Sequence, residues 1–199
     1  VCLDMEGTLT PEIWERVALD TGIEELGQTT RDIPSYEELM DMRLKIMLEK
    51  GVKLSDVQKA ASALDLLPGA LDFVNNLRQS FQVVILSDTF HDIAKPLMEK
   101  LGFPFLLCHN LEISNDEIIS YKLRHPKAKK QAIESFQNMG YRCFAAGDSH
   151  NDIQMFEVAT KGFFINAPEN ISLKYPNINS FHNYNDLEKE ILLNSVFVE

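Results

Sequence analysis

Short apolar runs that suit buried strands alternate along this chain with longer segments of helical periodicity. Runs that are apolar on both faces are typical of parallel strands covered by helices on each side of a sheet. The pattern therefore predicts an α/β fold, a Rossmann-like parallel sheet with right-handed crossovers and helices on both faces. The predicted strands are residues 1–5, 81–86, 105–108, 142–146 and 162–165.

The helices between these runs are predicted from apolar spacing and capping residues. Ser35 stands at an N-cap with Glu38 three residues later, a capping-box pattern, and Ser55 is the expected N-cap of the following helix. Residues 111–124 are expected to form an antiparallel flap. The predicted helices are 12–20, 35–50, 55–64, 68–80, 91–101, 127–139, 149–159 and 184–193.

Helices alone follow the first strand before the alternation begins. Residues 11–66 carry no convincing strand pattern, whereas both flanking parts do. We therefore predict a core of residues 1–10 and 67–199, with residues 11–66 inserted as a small helical cap.

Composition narrows the classes of partner. The chain has 199 residues, 45% of them hydrophobic, and a net charge of −11. Nucleic acid and anionic membranes are not expected to bind, because both require a basic face. No apolar stretch approaches the roughly 20 residues of a membrane span. Cys2, Cys108 and Cys143 fall in apolar runs, which predicts buried thiols in a cytoplasmic protein rather than disulfides.

Two of the predicted strands end in carboxylates. Asp4 and Glu6 follow the first strand, and Asp148 and Asp152 follow the fourth. The carboxyl ends of parallel strands share one edge of a sheet, where open α/β sheets bind ligands. Clustered acids repel each other, by roughly 4 kcal/mol for a pair about 4 Å apart at an effective dielectric constant of about 20. Because oxygen ligands favour a hard cation, the sequence predicts Mg²⁺ shared by Asp4 and Asp148, with Asp152 supporting the site.

Further polar residues indicate a phosphorylated ligand. Ser87 follows the second long strand, where its hydroxyl can bind a phosphate oxygen or cap the next helix. Lys129 and Lys130 lie in the first turn of a helix, where cations oppose the macrodipole, so one of them is a candidate for contacting an anion.

Taken together in this order, these pieces resemble the haloacid-dehalogenase-type hydrolases. The matching features are the acid pair of the first strand, Ser87, Lys129 and the run Gly147-Asp148-Ser149-His150-Asn151-Asp152. The resemblance implies that Asp4 attacks phosphorus, binds Mg²⁺, and forms an aspartyl phosphate that is then hydrolysed. It implies that Glu6 is the acid/base and lends its carbonyl to the metal.

The same resemblance assigns the remaining positions. Asp148 completes the metal shell with Asp152 behind it, and Ser87 and Lys129 hold the phosphoryl group. Lys130 is the alternative if the lysine position is displaced by one residue.

Glu6 departs from the aspartate that most of the family carries. A small branch does carry glutamate here: phosphoserine phosphatase-like proteins that also transfer the phosphoryl group to homoserine. The chain is similar to that branch over residues 11–14, 29–34, 82–90 and 167–170. The resemblance implies phosphoserine as substrate, a short helical cap, and homoserine as a second acceptor, and it leaves a homodimer open.

An amino-acid phosphate also brings an ammonium and a carboxylate. Arg43 in the capped helix matches a carboxylate through a two-bond fork, and Glu12 can take the ammonium. The alternatives are an ion pair of Arg43 with an acid of its own helix, and a solvated first-turn acid for Glu12. Asp88 and Asn151 are expected to contact the substrate as well.

Other functions fit parts of the pattern. One is a non-catalytic phosphate-binding protein on the same fold, which is disfavoured because every expected catalytic position holds a competent residue. Another is a phosphatase of a different small phosphomonoester. A sugar-phosphate mutase or a dehalogenase is disfavoured by the helical cap and Arg43. The sequence does not distinguish water from homoserine as the acceptor.

Overall fold

The computed structural model describes residues 1–196 and confirms the predicted α/β class. The strands are β1 Cys2–Leu3, β2 Val84–Phe90, β3 Phe105–Ser114, β4 Glu117–Lys122, β5 Phe144–Gly147, β6 Lys161–Ile165 and β7 Asn179–Phe181. They form one sheet in the order β4-β3-β2-β1-β5-β6-β7, in which β4 alone runs antiparallel to its neighbour.

The helices are α1 Ile13–Thr21, α2 Tyr36–Lys50, α3 Leu54–Ala63, α4 Ala70–Arg78, α5 His91–Lys100, α6 Ala128–Asn138, α7 Ile153–Phe156, α8 Glu169–Ser172 and α9 Tyr184–Ser195. Two 3₁₀ turns, Glu24–Gly27 and His150–Asp152, complete the regular structure. Ser35 is the N-cap of α2 as predicted, since its hydroxyl accepts a hydrogen bond from the Glu38 amide at 3.3 Å.

The sheet is buried on both faces because its strand residues alternate between two apolar clusters. Leu3 and Ile85 pack on one face with α4, α5 and α9, while the adjacent Cys2 and Leu86 pack on the other with α6 and α7. This alternation is the period-two pattern of strands covered by helices on each side. Cys2, Cys108 and Cys143 are buried free thiols.

β1 lies between β2 and β5, so the chain reverses its direction of travel across the sheet at β1. Such a switch point opens a crevice at the carboxyl ends of the central strands. The residues that follow β1, β2 and β5 therefore face one another.

The segment between β1 and α4 contains α1, α2, α3 and one 3₁₀ turn, with no strand from residue 13 to residue 63. Its buried side chains, such as Val17 and Val57, belong to the same apolar cluster as Leu3 of the sheet. The helical segment thus packs directly on the core. Its division from the core at residues 10/11 and 66/67 stays a prediction.

The expected antiparallel flap is a hairpin of β3 and β4. Its two turn residues, Asn115 and Asp116, have φ of 49° and 67°, as a type I′ turn requires. The Asp116 carboxylate accepts hydrogen bonds from the Ser55 amide at 3.0 Å and the Ser55 hydroxyl at 2.6 Å. The prediction that Ser55 is the N-cap of α3 is therefore wrong, and Lys53 holds that position.

Two further expectations were wrong or incomplete. The segment predicted as one helix over 149–159 is a 3₁₀ turn followed by the short α7. Ser149 is the N-cap of this turn, and its amide donates to the Asp152 carboxylate at 2.9 Å. The sequence pattern did not predict β7 or α8. Within residues 1–196, no helix is long and apolar enough to cross a membrane.

Candidate active site

A cavity of about 90 Å³ lies at the switch point, between the sheet edge and the helical segment. Asp4 enters it directly from β1, positioned by its own amide, which donates to the Ala146 carbonyl of β5 at 2.9 Å. Asp148 enters from the end of β5 and Ser87 from β2. The cavity therefore collects side chains from three adjacent strand ends.

Three buried carboxylates meet at the floor of this cavity. Asp4, Asp148 and Asp152 each present an oxygen within 4.8 Å of the other two. Lys129 is buried beside them, with its ammonium 2.9 Å from Asp4 Oδ1 and 2.8 Å from Asp152 Oδ1. One cation is thus surrounded by acids whose negative charge exceeds its own.

The sequence pattern left two lysines as candidates for contacting an anion, and the structure places them differently. Lys129 is 5% exposed and lines the cavity. Lys130 is half-buried outside it, 4.0 Å from Glu134 one turn along α6.

Two glycines permit this close packing. Gly7 has φ +74°, and a Cβ there would lie 2.4 Å from Asp148 Oδ2. A Cβ on Gly147 would lie 2.3 Å from the Asp152 carboxylate. Any larger residue at either position would push the acids apart, since such contacts are far inside van der Waals distance.

The acids raise one another's pKa. Burial, and next the charge of Asp152, raise the pKa of Asp4 well above its ordinary value and that of Asp148 to about 7. Burial alone would lower the pKa of Lys129, but Asp152 and Asp4 outweigh it and raise that pKa well above its usual value. The raised pKa of Lys129 therefore reflects the negative charge around it, whereas the raised pKa values of the acids reflect burial first and then their neighbours' charge.

A divalent cation fits this donor set. Among the described residues, five acids and three bases line the cavity, and the three clustered donors are all carboxylate oxygens. Oxygen-only ligands of this kind suit a hard cation such as Mg²⁺. The two cationic neighbours of the cluster, Lys129 and Arg31, leave part of its charge unmatched.

Glu6 and Glu12 occupy the wall between β1 and α1. Glu6 Oε1 accepts a hydrogen bond from the Ile13 amide at 2.8 Å, so the first turn of α1 fixes its side chain. Burial, followed by the neighbouring Glu12 charge, raises the pKa of Glu6 to about 8. Glu12 is half-buried at the cavity, 4.0 Å from Arg31, rather than a fully solvated helix acid.

Arg43 lies inside the cavity wall, 5% exposed. Its guanidinium packs 4.3 Å above the Trp14 ring and donates to the Gln28 carbonyl at 2.6 Å. None of the ion pairs among residues 1–196 joins Arg43 to an acid of its own helix. Burial lowers its pKa to about 10, so the group is still a cation at neutral pH.

The end of β2 bulges into the cavity. Leu86 pairs with Leu107, and Phe90 pairs with His109. Three residues of β2, 87–89, therefore lie opposite the single residue 108 of β3. Bulges of this kind re-aim side chains beside active sites. Ser87 therefore lies in the strand and is not the N-cap of α5, which is Phe90.

Asp88, in this bulge, is held from two sides. His109 Nε2 lies 3.5 Å from its Oδ1, and Lys129 lies 3.8 Å from its Oδ2. Burial would raise the pKa of Asp88, but Lys129 and His109 outweigh burial and hold that pKa below its ordinary value. Asn151 lines the same cavity and donates to Thr30 Oγ1 at 3.4 Å.

The sequence pattern did not single out Arg31 or Tyr36, which both line the cavity. Arg31 donates to Asp148 Oδ2 at 3.1 Å, and the Tyr36 hydroxyl donates to the Asp88 carbonyl at 2.5 Å. Both come from the helical segment, in or just after a stretch without periodicity. A single arginine beside two threonines is a weak signal by itself.

The chain is similar to proteins of a known family. The profile of the haloacid dehalogenase-like hydrolases matches residues 1–157. The chain belongs to this hydrolase family. It is 50% identical over 192 residues to the phosphoserine phosphatase ThrH of Pseudomonas aeruginosa, covering 96% of this chain and 94% of that protein. A phosphoserine phosphatase of Pseudomonas syringae pv. tomato is 48% identical over 96% of this chain and 81% of its own length.

Solved structures with the same fold include an apo phosphoserine phosphatase, with a TM-score of 0.76 and 22% identity over 96% of both chains. A phospho-aspartyl intermediate analogue of phosphoserine phosphatase also has a TM-score of 0.76, at 18% identity over 95% of this chain and 96% of that chain. At these identities the two structures support only the fold, and not the activity, of this chain.

Proposed function

We propose that this hydrolase releases phosphate from phosphoserine through an aspartyl phosphate formed on Asp4. The observation that carries the proposal is the arrangement of one cavity, in which Asp4 and Lys129 lie beside Arg43 and Glu12. The first pair suits a phosphoryl group, and the second pair suits the carboxylate and ammonium of an amino acid. Likeness to phosphoserine phosphatases over nearly the whole chain supports the same substrate.

Asp4 is positioned for attack. Its Oδ1 is held by the Met5 amide at 2.7 Å and by Lys129 at 2.9 Å. Oδ2 has no hydrogen bond within residues 1–196 and is the oxygen that attacks phosphorus. The bond from phosphorus to the serine oxygen breaks as the new bond to Asp4 forms.

Glu6 acts first as the general acid and then as the general base. With its pKa raised to about 8, its carboxyl group can donate a proton to the departing serine oxygen at neutral pH. The resulting carboxylate then takes a proton from the water that attacks the aspartyl phosphate. Phosphate is released, and Asp4 and Glu6 return to their starting states.

Lys129 and Ser87 hold the phosphoryl oxygens during both steps, because phosphoryl transfer depends mainly on positioning and charge stabilisation. Mg²⁺, held by Asp4, Asp148 and the Glu6 carbonyl with Asp152 behind them, would supply further neutralisation of the phosphoryl charge. Asp88 and Asn151 complete the wall around the substrate.

The cavity must open to admit the substrate. Its volume of about 90 Å³ lies well below the roughly 300–1,000 Å³ typical of small-molecule sites. We propose that residues 11–66 act as a cap that opens for entry and closes to exclude bulk water.

Transfer to homoserine is the second candidate. It rests on Glu6, which stands where most of the family has aspartate. The test is phosphate release from a panel of small phosphomonoesters, with Mg²⁺, in the presence and absence of homoserine. Phosphoserine should be the best substrate, and formation of phosphohomoserine would establish transfer. If phosphoserine is no better than other phosphomonoesters, the proposed substrate is wrong.

A further inference from the structure

The hydroxyl of Thr89 is a buried polar group that the mechanism above does not use. Thr89 is 4% exposed and lines the active-site cavity. Its Oγ1 has no hydrogen-bond partner among the described residues. Buried polar groups in native proteins are nearly always paired, so an unpaired one on a cavity wall indicates a partner that arrives with a ligand.

The β2 bulge explains how Thr89 reaches this position. The Thr89 amide donates to Ser87 Oγ at 3.3 Å, so the backbone of Thr89 orients the serine while its own side chain stays free. Residues 87–89 of β2 lie opposite the single residue 108 of β3, so the regular pairing of the two strands is interrupted there. Ser87 and Thr89 both lie in this bulge, and both line the cavity.

A second unpaired donor belongs to another residue that lines the same cavity. Within residues 1–196, three buried side-chain atoms lack a partner, and two of them, Thr89 Oγ1 and Arg43 Nε, belong to residues that line it. Thr89 comes from the sheet and Arg43 from α2 of the helical segment. One ligand group that accepts several hydrogen bonds would satisfy both donors at once.

We propose that Thr89 determines specificity, with its hydroxyl donating to the substrate carboxylate that Arg43 also binds. The inference rests on the proposed function and extends it to a residue from the core. A carboxylate has two oxygens with about four acceptor sites, enough for both donors. The phosphoryl group, in contrast, already has Lys129 and Ser87.

The test compares Thr89→Val, which keeps the shape and removes the hydroxyl, with Thr89→Ser, which keeps the hydroxyl. Each is assayed on phosphoserine and on phosphoethanolamine, which lacks only the carboxylate. Thr89→Val should lower kcat/KM for phosphoserine by about tenfold or more, as expected for loss of a hydrogen bond to a charged group. Its value for phosphoethanolamine should change by less than about twofold, and Thr89→Ser should stay near wild type on both substrates.

Thermal unfolding of the ligand-free variants separates binding from a structural role. Because the Thr89 hydroxyl has no partner in the free protein, Thr89→Val should leave Tm unchanged or raise it. Equal losses on both substrates would place Thr89 at the phosphoryl group and overturn the inference, as would a lowered Tm without substrate selectivity. If wild type hydrolyses phosphoserine and Thr89→Val does so equally well, the inference alone fails. If wild type does not hydrolyse phosphoserine, both proposals fail.

Discussion

The hydroxyl of Tyr36 at the start of α2 donates to the main-chain carbonyl of Asp88 at 2.5 Å. This bond joins the helix that carries Arg43 to the strand end that carries Ser87 and Thr89. We expect Tyr36→Phe to lower kcat/KM for phosphoserine by about fivefold, because a lost buried hydrogen bond of roughly 1 kcal/mol leaves the carbonyl unpaired and favours the open cap. Steady-state kinetics measures the effect.

Tyr121→Phe is the matched control for this prediction. The Tyr121 ring lies 6.3 Å from the Tyr36 ring in the same aromatic cluster, and no hydrogen bond of its hydroxyl is seen within residues 1–196. Wild-type kinetics are expected from it. Equal losses in the two variants would show that the effect does not depend on the Tyr36 hydrogen bond.

Asp4→Asn should abolish phosphate release from phosphoserine, with a loss of at least about 1,000-fold, because an amide cannot form the aspartyl phosphate. Release of inorganic phosphate in the presence of Mg²⁺ measures it. Asp41→Asn, an exposed position on α2 outside the cavity, should retain full activity. Turnover by Asp4→Asn near the wild-type rate would eliminate the covalent route.

Arg43→Ala should raise KM for phosphoserine by about tenfold or more, while KM for p-nitrophenyl phosphate changes by less than about threefold. The reason is that only phosphoserine has a carboxylate for the guanidinium. The KM of Arg43→Lys for phosphoserine should lie between those of wild type and Arg43→Ala, since lysine keeps the charge and loses the two-bond fork. Arg16→Ala, at an exposed pair with Asp20 on α1, is the neutral control. Parallel changes for both substrates would remove Arg43 from carboxylate recognition.

Chelation of divalent cations should reduce activity to background, and added Mg²⁺ should restore it. In Asp148→Asn, the Mg²⁺ concentration for half-maximal activity should rise by at least about tenfold, because one anionic oxygen of the cluster is lost. A Mg²⁺ titration of phosphate release measures this. An unchanged half-maximal concentration would place the cation elsewhere.

Gly147→Ala should destabilise the fold by about 2–4 kcal/mol, since its Cβ would lie 2.3 Å from the buried Asp152 carboxylate. Gly140→Ala is the comparison, because Gly140 has φ +90° with nothing within 4 Å of the added Cβ. It should cost only about 1–2 kcal/mol from backbone strain. Chemical denaturation gives both values, and a smaller loss at Gly147 than at Gly140 would contradict the steric account.

Much of the sheet and of the acid cluster could be predicted, because both depend on the order of apolar runs. A parallel strand that ends in an acid delivers that acid to the shared edge, whatever the intervening chain does. Asp4 and Asp148 meet for this reason, and their separation in sequence is immaterial. Which lysine lies next to them could be decided only from the structure, since Lys129 and Lys130 differ only in which side of α6 they occupy.

The positions of Arg31, in an irregular segment, and Tyr36, at the start of α2, could not be predicted. Arg31 and Tyr36 reach the cavity only because the chain around them packs across the sheet edge, and no periodic pattern encodes that path. The position of Thr89 could not be predicted either, because Thr89 lies in the β2 bulge, which depends on pairing with β3. The segment expected as one helix from Ser149 onward begins with a 3₁₀ turn whose Asp152 carboxylate pairs with the buried Lys129, a tertiary contact that the local sequence pattern does not contain.

The hairpin turn at Asp116 has a consequence for how the cap opens. Its carboxylate and carbonyl bind the first residues of α3, and α3 also packs on α5, so this part of the cap is anchored to the core. A rigid lid that lifts away whole would have to break all of these links. We therefore expect the proposed opening to involve the stretch from the 3₁₀ turn Glu24–Gly27 through α2, while α3 stays attached to the core.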